Sequence, residues 1–405
     1  MYEIYVRDAS FKRIGEITDF SMLDIIPRFN AVGSFALDLP TDCMASKELI
    51  KPKYGIIVKK DGKSIFSGNV TSRKRAFNSS NDTMTFGGVD DMAFLAARLA
   101  YPVPSADFSL ADYDVRTGKA ETIMKQYVDV NAGTNAPIVS RKICSIETDK
   151  GLGNTVTGRA RFHTLLDLLT SIALSGGGLG FRVVQVDDSL QFQVYQPIDK
   201  TRSAFFSPLL GNLSSFEYSN DNPEANMVIV GGGGEGAARI IKYKQDNTSI
   251  VKFGRFETFV DQRNTTDVAE LYQSIDEELI NKAEKNSFNF TPVDTPQLAF
   301  SRDYGLGDKV SIVLTQPNEI VEQEAILQFI SATQMIETQP EITRKFQAKL
   351  DVIQDIVREV KISITPDGDY ISPVVGTEDS NTNAIAGIFD KMKKMTKRLS
   401  NLERG

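Results

Sequence analysis

The chain has 405 residues, of which 46 are Lys or Arg, 53 are Asp or Glu, one is His and two are Cys. That length accommodates two or three domains with cores of their own, and a net charge of -7 with a pI near 5.1 argues against a dedicated nucleic-acid binder, which carries a basic excess. Cys43 and Cys144 stand far apart without CxxC spacing, so neither a zinc site nor a disulfide framework is indicated. No run approaches the ~18 consecutive apolar residues of a membrane span, and MYEIYVRDAS lacks the apolar core of a signal peptide.

From Met1 to Val89 the pattern is almost wholly β. YEIYV and FKRIGEI read as short strands. Phe35, Leu37 and Leu39 alternate with Ser34, Ala36 and Asp38, which buries one face of a strand that Gly33 separates from the one before it. Asp61-Gly62, between YGIIVKK and SIFSGNVTS, is a two-residue hairpin signal because both turn positions need positive φ. Another hairpin turns through Asn78 to Asp82. Short strands at regular spacing predict a small β-barrel over 1–89.

At FGGVDDMAFLAARLAYP the period changes, with Ala93, Leu95, Ala96 and Leu99 at helical spacing behind Asp90 and Asp91. Adjacent helical residues point apart, so the two carboxylates read as first-turn caps rather than as a catalytic pair. Tyr101 to Asp114 reads as loop. Thr117 opens a helix that carries Ile123, Met124, Tyr127 and Val128 and stops near Asn131 to Gly133; a second, leucine-rich helix over Phe162 to Leu174 is stopped by a serine and glycines. The strands FRVVQVD and LQFQVYQP, joined through Asp188-Ser189, complete an α+β insertion over 90–197.

Beyond Phe205 the β pattern returns. Between Asn226 and Asp261 an apolar strand runs into Gly231, Gly233 and Gly236 in GxGxxG register, the fingerprint of a dinucleotide-binding loop. That fingerprint needs a helix next, yet only the eight residues AARIIKYK precede the turn cluster Gln245 to Ser249, and helices under about 12 residues are marginal alone. Ile241 and Tyr243 alternate with Ile240, Lys242 and Lys244, so a hairpin is the better reading, with the glycines supplying backbone freedom. Ile250 to Asp261 suits a further strand. A helix over Thr265 to Lys285, with Val268, Leu271, Ile275, Leu279 and Ala283 on one face, is followed by strands at SFNFT, QLAFS, KVSIVLT, AILQFISATQMI and ITRKFQAKLDV. Together they predict a second barrel over 205–352.

Residues 353–383 read as a connecting segment, with linker composition from Pro366 to Asn383. In 384–405 the apolar residues Ile385, Ile388, Met392, Met395, Leu399 and Leu402 are spaced 3, 4, 3, 4, 3, an a/d heptad seam with Arg398 at g and Glu403 at e, placed for an interhelical pair. The narrow seam predicts a short coiled coil, and its paired isoleucines lean toward three strands. An amphipathic helix docked on its own domain is the alternative.

Residue content for catalysis is thin. His163 stands at the front of an apolar helix without a GxSxG elbow or a cysteine motif, and GxxxxGK[ST] is absent, so no catalytic residue, cofactor or metal site is predicted. Arg73-Lys74-Arg75 and Lys391 to Arg398 lack interleaved aromatics for base stacking and read as solvated faces. The alternatives are a hydrolytic or nucleotide-binding enzyme using Gly231 to Gly236, and a carbohydrate-binding host-receptor protein.

GRFETFVDQR (Gly254 to Arg263), YGLGDKV (Tyr304 to Val310), the apolar strand and glycines before them, and Gly88-x-Asp90 with Leu95 and Arg98 resemble the tail-hub family of bacteriophages. These are the baseplate-hub or tail-tip proteins of long-tailed phages and related injection machines. The resemblance covers most of Met1 to Val352 and is loose over 90–197. It implies a mainly β fold with inserted helices (α+β), two tandem small β-barrel hub domains per chain, and structural rather than enzymatic work in a virion tail assembled in the host cytoplasm. It implies a homotrimeric ring as well. The ring offers six near-equivalent positions to the tail tube, keeps a threefold end for a central spike or fibre protein, and passes DNA through its channel. The seam residues are then expected to continue the threefold axis toward the next tip component.

Overall fold

The computed structural model describes residues 2–376 apart from 80, 294, 296–297, 317–320, 322 and 335–348. The N-terminal part folds as expected into strands, β1 (Tyr2–Arg7), β2 (Arg13–Glu16), β3 (Met22–Ile26), β4 (Ser34–Pro40), β5 (Gly55–Lys60), β6 (Lys63–Asn78) and β7 (Asn81–Asp90), with one short helix, α1 (Met44–Leu49). In β4 the alternation is literal, since Phe35, Leu37 and Leu39 are buried and their neighbours are not. Asp61 (φ 51°) and Gly62 (φ 77°) form the turn between β5 and β6.

The insertion contains α2 (Ala93–Ala96), β8 (Asp114–Lys119), α3 (Ala120–Asn131), β9 (Cys144–Ile146), β10 (Thr155–Ala160), α4 (Leu165–Ser175), β11 (Gly180–Val186) and β12 (Ser189–Tyr195). Thr164 caps α4 by accepting from the Asp167 amide, and Met124, Tyr127, Leu169, Ile172, Phe181 and Phe192 share one core. Two expectations change here. The first helix is a single turn, and Thr117 lies in β8, paired with Thr157 of β10, so the next helix starts three residues later.

The rest consists of β13 (Phe205–Phe206), β14 (Leu213–Asp221), β15 (Met227–Gly231), β16 (Ile241–Gln245), α5 (Asn247–Phe253), β17 (Glu257–Asp261), α6 (Val268–Asn281), β18 (Lys285–Pro292), β19 (Lys309–Thr315), α7 (Gln323–Gln334), β20 (Leu350–Thr365) and β21 (Gly368–Gly376). Three readings are corrected. The start of the expected strand over Ile250 to Asp261 is helical, because Asp246 caps α5 by accepting from the Ser249 amide. The stretch AILQFISATQMI is helical through Gln334, with Ile326 and Phe329 buried at helical spacing. The expected linker contains β21 through Gly376, whose Ile371, Pro373 and Val375 all point inward, a period that the neighbouring glycines and prolines obscure. QLAFS is reduced to bridges, Thr295 to Leu298 and Phe300 to Tyr304.

The expectation of two separate barrels over 1–89 and 205–352 changes most. All seven strands of the first set and β13, β14 and β18 to β21 join one 13-stranded sheet in the order β14-β18-β21-β20-β3-β4-β7-β6-β5-β1-β2, with β19 beside β20 and β13 beside β19; β15 to β17 form a three-stranded sheet of their own, and neither set closes on itself among the described residues. They share one core, in which Leu23, Leu37 and Phe86 meet Phe206, Phe290 and Ile362. A repeat is nevertheless visible in the order. Numbered along the chain, β3-β4-β7-β6 and β14-β18-β21-β20 each run first, second, fourth, third among these four strands. In each set the third strand is 16 residues long, and a further strand, β5 or β19, pairs with its first half.

Candidate assembly site

Eight strands, from β14 to β6, form a continuous antiparallel sheet. Its core face is filled. The opposite face carries short polar and mixed charged side chains, including Ser34, Asp38, Thr85, Lys361 and Asp24. Lys361 Nζ lies 3.2 Å from Asp24 Oδ2 across the joint between β20 and β3, and Ser363 Oγ donates to the same carboxylate.

Both lateral edges of these eight strands are open. Among the described residues β14 pairs with β18 alone, and Ser214 to Ser219 are exposed. β6 outlasts β5, so after a bulge at Thr71 the residues Ser72 to Asn78 pair with β7 and are exposed throughout. Such edges invite another strand. The β14 edge is acidic, with Glu217 and Asp221, and the β6 edge is basic, with Arg73, Lys74 and Arg75. Arg75 and Thr41 hold the Asp82 carboxyl down to about 2 by hydrogen bonds, and Arg73 donates to the Leu49 and Lys51 carbonyls, both at 3.1 Å. Those contacts are made by side chains and not by the outward backbone side of Ser72 to Phe77. Three aromatic rings stand on the two edges, Phe77 at 75% exposure and Phe216 and Tyr218 at 47% each.

A second cluster fixes the insertion to the sheet. Arg7 and Asp91 are both buried and form a bidentate pair at 2.5 and 2.9 Å; Arg7 also donates to Gln185 (2.8 Å) and Asn69 (2.7 Å), while Ser67 donates to Asp91. Asp90 points the other way, accepting from the Met92 amide at 3.1 Å. Burial pushes its carboxyl up to about 7, aided by the Asp91 charge and opposed by amide hydrogen bonds and Arg28. The expectation of two first-turn caps is corrected for both residues: α2 has no side-chain cap and no acid in its first turn, Asp90 accepts from the Met92 amide ahead of the helix, and Asp91 is the buried partner of Arg7. Sequence reasoning missed that pair, whose members are 84 positions apart.

The glycine segment is a hairpin. β15 and β16 pair antiparallel, from Met227 with Gln245 to Gly231 with Ile241, and β17 lies parallel on the other side of β15. Arg239 braces this hairpin, donating to the Gly232 carbonyl (2.9 Å), the Gly231 carbonyl (2.8 Å) and Asp261. A Cβ on Gly231 would lie 2.5 Å from that guanidinium, so glycine here admits an arginine. The expected strand alternation has the opposite outward face, since Ile241 and Tyr243 are exposed while Val228 and Val230 pack on Leu271 and Ile275 of α6.

His163 is exposed just before α4 and lines a cleft of about 210 Å³ between β10, α4 and α6. Across this cleft Arg159 grips Glu270 with two bonds of 2.8 Å, Ser171 donates to Glu277 at 2.8 Å, and Gln273 exchanges two 3.2 Å bonds with the Thr157 backbone. No cluster of three or more His, Cys, Asp or Glu suited to a metal occurs among the described residues, and no helix among them is long and apolar enough to cross a membrane. The seam residues Ile385, Ile388, Met392, Met395, Arg398, Leu399, Leu402 and Glu403 lie outside the described residues.

Residues 3–331 match the family described as Siphovirus ReqiPepy6 Gp37-like protein. The chain belongs to that family. No curated protein matches the sequence. Among solved structures, the 43 kDa tail protein of prophage MuSo2 from Shewanella oneidensis is similar at 14% identity and a TM-score of 0.56, over 92% of this chain and 98% of the other. A tail protein from Neisseria meningitidis MC58 is similar at 14% identity and 0.55, over 93% and 97%. The prophage tail protein gp18 from Listeria monocytogenes EGD-e gives 10% and 0.52, over 98% and 99%. The siphovirus family member thus has the fold of phage tail proteins, mainly β with inserted helices, as the resemblance in Gly254 to Arg263 and Tyr304 to Val310 implied.

Proposed function

We propose that the chain is a structural protein of the virion tail, a hub at the tail tip in which three copies form a ring around a DNA channel. The observation that carries this reading is the eight-stranded sheet with two open, oppositely charged edges. Eight alternating strands put β14 and β6 in opposite directions. A head-to-tail neighbour therefore continues the sheet antiparallel, and a heterologous contact of this kind closes into a ring when the rotation permits.

The two similar strand sets give six near-equivalent units in a trimer, the number a sixfold tail tube requires. The polar sheet face, with Asp24 and Asp38 beside Lys361 and Lys74, suits a conduit that attracts phosphate only weakly. The antiparallel pairing of β15 with β16, in place of a strand-to-helix phosphate turn, and the separation of Asp90 from Asp91 favour structural over catalytic work. At the other end, residues 384–405 continue the threefold axis as a short coil and engage a spike or fibre protein.

Light scattering on the purified chain is expected to give the mass of three copies, with a pierced ring in electron micrographs. A monomer at all concentrations overturns the reading. Truncation after Gly376, past β21, should leave the ring intact and abolish capture of the distal partner.

A further inference from the structure

The chain already contains one joint between its two strand sets, where β20 meets β3. The repeated strand order makes that joint a template for the contact between copies, because β6 stands in its set where β20 stands in the other, and β14 stands where β3 stands. We infer that β14 of one copy pairs with the outer half of β6 of the next in the register of β20 with β3, placing Glu217 against Lys74, Phe216 opposite Phe77 and Tyr218 opposite Arg75. This rests on the ring reading and names the residues that close the ring.

The register follows by counting from the turns. β20 and β21 close with Thr365 opposite Gly368, and β6 and β7 close with Asn78 opposite Asn81, two residues apart in each case. Counting back, Lys361, Ile362, Ser363 and Ile364 correspond to Lys74, Arg75, Ala76 and Phe77. The faces agree. Ile362 and Ile364 point into the core, and Arg75 lies opposite buried Met84, with Phe77 on the same face two residues on. On the other strand, Leu23 and Ile25 face the core on either side of Asp24, as Phe216 and Tyr218 flank Glu217 and pack on Phe288. Within the chain Ile364 opposes Leu23, Ser363 opposes Asp24 and Ile362 opposes Ile25. Transferred to the outer edges, this register puts Glu217 where Asp24 stands and Lys74 where Lys361 stands.

The transfer accounts for features otherwise unconnected. Phe77, Phe216 and Tyr218 are large rings on exposed edges, and the proposed register turns all three toward one apolar seam. Among the described residues neither Lys74 nor Glu217 has an ion-pair partner; the register supplies one to each. The backbone of Ser72 to Phe77 is paired with β7 and that of Ser215 to Glu217 with β18, and in each strand the other side is turned away from that partner. A second copy satisfies both edges at once.

The test is charge exchange in the full chain, read by light scattering. Lys74→Glu and Glu217→Lys should each weaken association on the order of tenfold, because like charges then face each other across the joint. The double variant should restore it. Independently, Phe77→Cys with Phe216→Cys in a Cys43→Ser background should form a disulfide between copies on oxidation, with Cys144 buried and inert. Wild-type assembly that is indifferent to both single reversals, or that yields no cross-link, overturns this joint and leaves the ring reading standing. A wild-type chain that stays monomeric overturns both.

Discussion

The insertion meets the sheet through a buried ion pair, Arg7 against Asp91, with Gln185, Asn69 and Ser67 taking up most of the remaining hydrogen-bonding capacity. By contrast, α6 meets α4 and β10 across a wet cleft, through Arg159 with Glu270 and Ser171 with Glu277. The first joint exists only in a dry interior and cannot trade its partners for water. The second can make that trade at little cost, since partly exposed polar contacts contribute modestly. The chain enters and leaves the α6 unit at one neck, where the Glu224 and Ala225 amides donate to the Lys282 carbonyl, and the unit has its own small core of Val228, Val230, Leu271 and Ile275. The insertion is thus tied to the sheet by a buried pair, while the 222–284 unit is tied to the insertion by partly exposed polar contacts, the weaker of the two joints.

The largest effect that sharpens this comparison belongs to Asp91. Asp91→Ala leaves the Arg7 guanidinium buried without its counter-ion and should destabilise the chain by about 3–5 kcal/mol, the usual cost of breaking one side of a buried pair. Denaturant unfolding checks it. Replacing both residues together by apolar side chains of similar volume should cost much less; if the double replacement costs as much as Asp91→Ala, the penalty is lost packing and the lock is not electrostatic.

Those two residues also mark the limit of what the sequence disclosed. Asp61-Gly62, the alternation of β4 and the leucine face of α4 are local signals, complete within a few positions, and all three appear as expected. The glycine hairpin was legible for the same reason, because AARIIKYK is too short for the required helix. What failed depended on distant neighbours. β21 reads as linker until Val360 and Ile362 of β20 are seen beneath its inward residues, and one shared sheet appears as two barrels because Ser363 meets Asp24 across 339 positions. Of the candidate site, the basic run Arg73 to Arg75 was legible as a solvated face, and all three residues are exposed. That the run stands on a sheet edge depends on β5 ending early, and no residue in the run encodes that.

Asp90 gives a prediction of intermediate size at the locked joint. Its folded carboxyl titrates at about 7 through burial, above the ordinary carboxylate value. Between about pH 4 and pH 7 the folded chain therefore retains a proton that the unfolded chain has lost, and stability falls as pH rises through that window. Asp90→Asn removes this dependence. Relative to the variant, the wild type should be most stable near pH 4 and lose ground until about pH 7, then run level; parallel stability curves for the two proteins would show that Asp90 titrates normally.

The smallest expected effect lies at the wet cleft and is the most informative about motion. Glu270→Gln with Glu277→Gln keeps size and leaves hydrogen bonding to Arg159 and Ser171 possible, so global stability should drop by only about 1 kcal/mol or less. Spin labels at Val139→Cys in the insertion and Val251→Cys in α5, both highly exposed, in a Cys43→Ser background, report the distance between insertion and arm. The variant should populate a second, longer distance while amides of β15 and α6 keep their protection from hydrogen exchange, which distinguishes a rigid swing about the neck from local melting. An unchanged single distance would mean that packing of Leu168 and Ile172 along the cleft, and not its charges, holds α6 in place, and the contrast between the two joints would collapse.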